Sequence, residues 1–369
     1  MSTVFWTEDN TSRTARWHSE SAAPPPELIV PVDDRTTADT ACRLARAGTG
    51  LLWRGDFHNA RQLLRAMGRR VDRELTLVDD PAEAFRRYRA ARRRRARVLG
   101  KLLVLLEDDH SLRLRRAPDV RRACTEAYGL PHGRTVVALT ELLGVLGAAQ
   151  WRAKGVYVPA LGDRIHPHYG VFSPVRGEYV DLVARAPLPA RADTAFDLGT
   201  GTGVLAAVLA RRGFGRITAT DNNSRALLCA RANLDRLRLT SVDVQGPTLF
   251  PEGKADLVVC NPPWIPATPT SALETAVYDE NSSMLHTFLS DLPTHLHPGG
   301  EGWLILSDLP ELLGLRTHHD LLARITAAGL VIADQLETRP VHPRANNPTT
   351  PLHAARVAET ITLYRLVPD

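Results

Sequence analysis

Asp197-Leu198-Gly199-Thr200-Gly201-Thr202-Gly203 decides the reading of this chain. Just before it, Thr194-Ala195-Phe196 reads as a short buried parallel strand. After it, Val204-Leu205-Ala206-Ala207-Val208-Leu209-Ala210 is rich in helix formers and stops at Arg211-Arg212-Gly213. The unit is strand, glycine turn, helix. Glycines let a backbone approach a ligand closely, and a helix start presents free N–H groups. A nicotinamide-dinucleotide turn calls for glycine or alanine at position 204, where Val204 stands. Here an acidic residue ends the strand and glycine recurs at every second position.

Working outward, Arg216-Ile217-Thr218-Ala219-Thr220 reads as the next strand and ends on Asp221, followed by Asn222. A carboxylate about twenty residues beyond such a turn can accept both hydroxyls of a ribose. Further on, the apolar strand Ala255-Asp256-Leu257-Val258-Val259-Cys260 runs into Asn261-Pro262-Pro263-Trp264. Asn261 therefore belongs at the carboxyl edge of a parallel sheet, where ligands bind in such folds. Consecutive prolines fix φ and remove donors, leaving a rigid turn with outward carbonyls. The Asn261 oxygen and the Pro262 carbonyl can both accept from one NH2 group, and Trp264 offers a flat face. Together they suit an amide, a guanidinium or an exocyclic base amine. Catalysis would then be positioning and charge stabilisation.

Asp197 to Gly203 resembles the first motif of class I S-adenosylmethionine-dependent methyltransferases. Asn261 to Trp264 is similar to the motif of release-factor glutamine N5-methyltransferases and of adenine-N6 and guanine-N2 nucleic-acid methyltransferases. Phe172-Ser173-Pro174 ahead of an amphipathic helix resembles the entry of the small methyltransferase domain. The resemblance implies an α/β, doubly wound, Rossmann-like sheet whose last strand is antiparallel. It implies S-adenosylmethionine held by Asp197, Gly199, Gly201, Gly203, Asp221, Asn222 and Asn261, with Thr248 in place of the usual acidic contact to the adenine. The substrate would meet Asn261, Pro262, Trp264 and Phe172, with Asn261, Pro262 and Trp264 catalytic. It covers roughly residues 170 to 365.

Composition is that of an ordinary soluble protein: 44% hydrophobic and 24% charged over 369 residues, enough for two domains. Net charge is only +5, and no basic start precedes an apolar run, so no signal peptide is expected. Cys42, Cys124, Cys229 and Cys260 lack CxxC spacing and read as reduced thiols of a cytoplasmic protein without a metal site.

Residues 1–35, polar around Pro24-Pro25-Pro26, read as a mobile arm. Residues 36–152 read as a mainly helical N-terminal domain, with helices near 40–46, 57–67, from Pro81 and over 136–151, the last apolar nearly all round. The helix from Pro81 carries Arg86, Arg87, Arg89, Arg92, Arg93, Arg94, Arg95 and Arg97. It is either an RNA-binding stripe or a solvated face, and the scarcity of aromatics favours the second. Residues 153–175 read as a hairpin and linker, and 176–369 as the methyltransferase domain.

The expected function is N-methylation of a planar nitrogen by S-adenosylmethionine. The favoured acceptor is the guanidino or amide nitrogen of an amino-acid side chain, free or in a protein. For a guanidinium, Glu274, Asp279 and Glu280 are the candidate carboxylates, if their loop folds back over the site. Two other readings stay open: methylation of an exocyclic amine in ribosomal RNA, and a non-catalytic cofactor-binding protein.

Overall fold

The structure is a computed structural model and describes residues 2–72, 78, 80–269, 274–340 and 352–369. It divides into two units, Met1–Asp79 with Glu83–Gln150, and Trp151–Asp369 with Asp80–Ala82.

The first unit is built on six strands: β1 (Thr3–Glu8), β2 (Thr11–Trp17), β3 (Ile29–Val32), β4 (Gly50–Trp53), β5 (Leu102–Leu106) and β6 (Thr135–Ala138), in the order β1-β2-β6-β5-β4-β3. The helices are α1 (Ala38–Arg46), α2 (Phe57–Asp72), α3 (Pro81–Leu99), α4 (Arg121–Tyr128) and α5 (Leu139–Lys154). Residues 1–35 are therefore not an arm. Val4, Trp6 and Ala15 alternate inward, and Asp9-Asn10 close the β1–β2 hairpin with φ of 50° and 57°. Asp and Asn tolerate that conformation best after glycine. The segment 136–151 is also corrected. β-Branched Val136 and Val137 lie buried in β6, and the helix that follows buries only Leu139, Leu142 and Val145. A helix-period reading cannot separate a short buried strand from the helix it runs into.

The second unit starts with a small hairpin, β7 (Val156–Val158) and β8 (Asp163–Ile165), and α6 (Glu178–Arg185). There follow β9 (Thr194–Leu198), α7 (Val204–Arg211), β10 (Arg216–Thr220), α8 (Ser224–Arg236), β11 (Val242–Gln245), β12 (Ala255–Cys260), α9 (Ser283–His295) and β13 (Leu296–Ser307). The remaining elements are α10 (Leu309–Leu312), α11 (His318–Ala327), β14 (Leu330–Thr338), α12 (His353–Ala358) and β15 (Ile361–Pro368). Sheet order is β11-β10-β9-β12-β13-β15-β14, and only β15 runs antiparallel to its neighbours. This is the doubly wound α/β arrangement, with both faces covered by helices.

β12 is buried at every residue, as a central strand must be. Chain order reverses between β9 and β12, so a crevice opens at their carboxyl ends. Leu198 pairs with both Thr220 and Cys260, which brings Gly199, Asp221 and Asn261 to one edge of the sheet.

Candidate active site

The glycine turn after β9 has left-handed backbone at Gly199, Gly201 and Gly203, with φ of 69°, 56° and 81°. Such values are costly for any residue with a Cβ. Space is also short: a Cβ on Gly199 would stand 2.6 Å from Met284 Cε.

Asp197, fully buried at the end of β9, holds the turn together. Its Oδ2 accepts from Thr200 Oγ1 at 2.6 Å and from the Ala206 N–H of α7 at 2.9 Å. One of the free N–H groups expected at the helix start is thus taken by the protein. The other carboxylate oxygen, Oδ1, is buried and, among the described residues, accepts no hydrogen bond. Burial pushes the Asp197 carboxyl up to about 6, and the nearby Asp221 charge adds to the rise against the two donated bonds. A buried carboxylate oxygen without a donor is costly and suits a ligand carrying an N–H or a positive charge.

Asp221 receives the Gly201 N–H at 3.0 Å and the Asn223 N–H at 2.8 Å, and burial also raises its pKa. Asn222 is exposed beside it. Thr248 lies against the same strand end: its N–H reaches the Asp221 carbonyl at 3.4 Å, and its hydroxyl donates to Phe250 O at 2.8 Å. Asp197, Gly199, Gly201, Gly203, Asp221 and Thr248 thus form one cradle.

Asn261 is half-buried directly beyond β12. The Trp264 indole N–H donates to Asn261 Oδ1 at 2.9 Å. An indole can only donate, so the bond settles which end of the amide is oxygen. One lone pair of Oδ1 remains for a substrate, and among the described residues no hydrogen bond engages the Pro262 carbonyl. Phe172 is half-buried, and its neighbour Val171 packs on Ala226 and Cys229 of α8.

The loop after the motif returns to Ile265, which exchanges backbone bonds with Val277 and Asp279. One of the loop's carboxylates is engaged by the protein itself. Asp279 accepts from Ser283 Oγ at 2.6 Å and from the Met284 N–H at 2.7 Å, which fastens the start of α9. Glu280 is exposed and accepts from Thr268 Oγ1 at 3.0 Å, while Glu274 opens a separate short 3-10 turn.

Sequence reasoning passed over Arg176, Glu359, Ser307 and Met284. The Arg176 guanidinium lies 6.0 Å from the centre of the Trp264 ring, a cation–π distance. Its Nη2 donates to Glu359 Oε2 at 3.0 Å, and the fully buried Glu359 also accepts from Ser307 Oγ at 2.8 Å. The only local hint was that Arg176 closely follows Phe172-Ser173-Pro174. Among the described residues, no three or more His, Cys, Asp or Glu side chains group as a metal site. No described helix is long and apolar enough to cross a membrane.

The doubly wound sheet, with an acidic, glycine-rich turn after its first strand and Asn-Pro-Pro-Trp after its fourth, is the arrangement that the resemblance to class I S-adenosylmethionine-dependent methyltransferases implies. Residues 163–312 match the methyltransferase small domain family. It is 28% identical to a tRNA1(Val) (adenine(37)-N6)-methyltransferase of Cytophaga hutchinsonii, over 35% of this chain and 58% of that protein. The same-named protein of Shewanella halifaxensis is 29% identical over 46% of this chain and 78% of its own length. A release factor glutamine methyltransferase of Mycobacterium tuberculosis is 38% identical over 32% of this chain and 43% of that protein. The chain thus spans little over half of the first relative and under half of the third. A crystal structure of a methyltransferase from Pyrococcus furiosus is 19% identical, with a TM-score of 0.39, over 62% of this chain and 98% of that one.

Proposed function

We propose that the chain transfers a methyl group from S-adenosylmethionine to the neutral NH2 nitrogen of a planar group. The reading rests on one observation above others. Asn261 Oδ1 keeps a lone pair and the Pro262 carbonyl has no described donor, at the same sheet edge as the cradle of Asp197, Gly199, Gly201, Gly203 and Asp221.

The cradle's groups fit that cofactor by their chemistry. The donorless Asp197 Oδ1 suits an ammonium, the open glycine backbone suits close approach, and the Asp221 carboxylate suits ribose hydroxyls. Asn222 and Thr248 flank the ribose side. When bound, the cofactor supplies an electrophilic methyl on a sulfonium. Asn261 Oδ1 and the Pro262 carbonyl hold both protons of the acceptor NH2, which leaves its lone pair directed away from them. As the nitrogen took the methyl carbon, the sulfonium–carbon bond would break to a neutral thioether, both acceptors would bind the now positive nitrogen more strongly than in the ground state, and its surplus proton would leave to water. Trp264 positions Asn261, and Phe172 borders the acceptor's entry.

A cationic guanidinium would need carboxylates to grip it. Asp279 is occupied at both oxygens by Ser283 and Met284, Glu359 by Ser307 and Arg176, and the charge over Trp264 is Arg176 itself. This favours an amide or an exocyclic base amine over the arginine-like acceptor. An intact Asn261 and all three cradle glycines speak against a non-catalytic role. Incubation with methyl-labelled cofactor and, separately, RNA, glutamine-containing protein and arginine derivatives tests the reading. Label in either of the first two supports it; label only in the arginine derivatives overturns it.

A further inference from the structure

Residues 57–99 hold 13 arginines against 5 carboxylates, net +8, whereas the whole chain carries only +5. The rest of the chain is therefore slightly acidic, and the positive charge is concentrated on α2 and α3. On α2, Arg61, Arg65 and Arg69 recur every four residues on one exposed face, each about 6 Å of rise from the next. Among the described residues none of the three has a carboxylate partner. Like charges at this spacing destabilise a helix by themselves. They are also not needed to hold the unit together, since α2 packs through Leu63, Leu64, Met67 and Val71.

α3 joins the same surface. Gly68 lies between Arg65 and Arg69, and a Cβ there would meet the Arg95 guanidinium at 2.7 Å, so Arg95 crosses α2 at that point and pairs with Asp72 at 2.7 Å. Arg92, one turn earlier on α3, is exposed. At the start of α3 Glu83 pairs with both Arg86 and Arg87.

We infer that Arg61, Arg65, Arg69, Arg92 and Arg95 form an RNA-binding face that tracks the phosphate backbone. Guanidinium forks match phosphate oxygens, and a row of them along one helix and across a second suits an extended chain of phosphates. A membrane surface fits less well, because the apolar residues of α2 are buried and none is left to insert. The inference rests on the proposed methyl transfer only for its consequence, that the neutral acceptor is an exocyclic base amine of the bound RNA.

The test measures binding of the full chain to a short labelled RNA hairpin and to a single strand by fluorescence anisotropy, between about 50 and 200 mM salt. Wild type is compared with Arg65→Glu/Arg69→Glu and with the milder Arg65→Gln/Arg69→Gln, and circular dichroism and S-adenosylhomocysteine affinity verify the fold. The expected result is at least about tenfold weaker RNA binding in the reversed protein, with the salt slope reduced by about one or more. Unchanged affinity in both variants, absence of RNA binding by wild type at low salt, or binding only to anionic vesicles overturns the face. RNA binding that depends on these arginines upholds it. If the RNA so bound is never methylated, the base-amine assignment of the site fails and the face stands.

Discussion

Trp264 and Asn261 are joined by a hydrogen bond of 2.9 Å from the indole N–H to the amide oxygen, within a motif where the ring had been expected to stack on substrate. The indole therefore orients Asn261, the residue proposed to grip the acceptor nitrogen, while Arg176 lies over the indole face. Positioning of this kind should appear in turnover rather than in cofactor affinity.

Trp264→Phe keeps an aromatic ring and removes the donor. Turnover should fall by roughly tenfold, the order of one lost hydrogen bond, with S-adenosylhomocysteine affinity unchanged. Asn261→Ala removes the acceptor itself and should cost a hundredfold or more in kcat. Steady-state kinetics beside calorimetry separates the two quantities. Full turnover in Asn261→Ala would reduce the motif to a structural turn.

Asp197 should make cofactor binding pH-dependent. Its carboxyl is pushed up to about 6 from 3.8, so it binds a proton as pH falls through about 6 and loses the charge that attracts an ammonium. Affinity for S-adenosylmethionine should weaken by about tenfold between pH 7 and pH 5 in wild type, and this dependence should disappear in Asp197→Asn. Because the folded pKa is raised, the ionised group opposes folding above about pH 6 and is relieved as pH falls towards 3.8. The stability gap between the cofactor-free wild type and Asp197→Asn should narrow over that window. A flat affinity profile in wild type would place the ammonium elsewhere.

Gly199→Ala meets two obstacles, a φ of 69° and Met284 Cε at 2.6 Å. The first costs about 1–2 kcal/mol for an L residue. Thermal unfolding and calorimetry should show lower stability and weaker cofactor binding. Adding Met284→Ala should restore part of the loss and not the whole, since it opens space without changing the backbone. Complete restoration would mean the backbone conformation carries no penalty here.

Arg176→Met and Glu359→Gln dissect the support beneath Trp264. Glu359→Gln leaves Ser307 and Arg176 with a neutral partner, whereas Arg176→Met leaves a fully buried carboxylate without its cation. The second should be the more destabilising, by several kcal/mol. Both should lower kcat more than they raise KM. Equal melting temperatures for the two variants would contradict the ion-pair account.

The glycine turn after β9 and the Asn-Pro-Pro-Trp turn after β12 were legible because they depend on local pattern. Strand ends are marked by short apolar runs, the left-handed turn by glycine, and the rigid acceptor turn by consecutive prolines. Residues 3–17 were misread because Phe5 is exposed at 63% between the buried Val4 and Trp6, which blurs the alternation that would announce a strand. The carboxylates after the motif were legible as residues but not as roles. Only the folded loop shows Asp279 bound to the start of α9 and Glu280 turned to Thr268.

The sequence by itself determined the sheet, the cradle from Asp197 to Gly203, Asp221 at the next strand end and Asn261 beyond the fourth, because each follows from spacing within one strand–turn–helix unit. Tertiary structure alone decided what surrounds them. Arg176 and Glu359 stand 183 residues apart and meet because β15 inserts between β13 and β14 and carries the preceding Glu359 against Ser307 at the end of β13. The arginines of α2 and α3 become one surface only because Gly68 lacks a side chain where Arg95 crosses. Contacts of this kind depend on packing between distant segments, which no local pattern encodes.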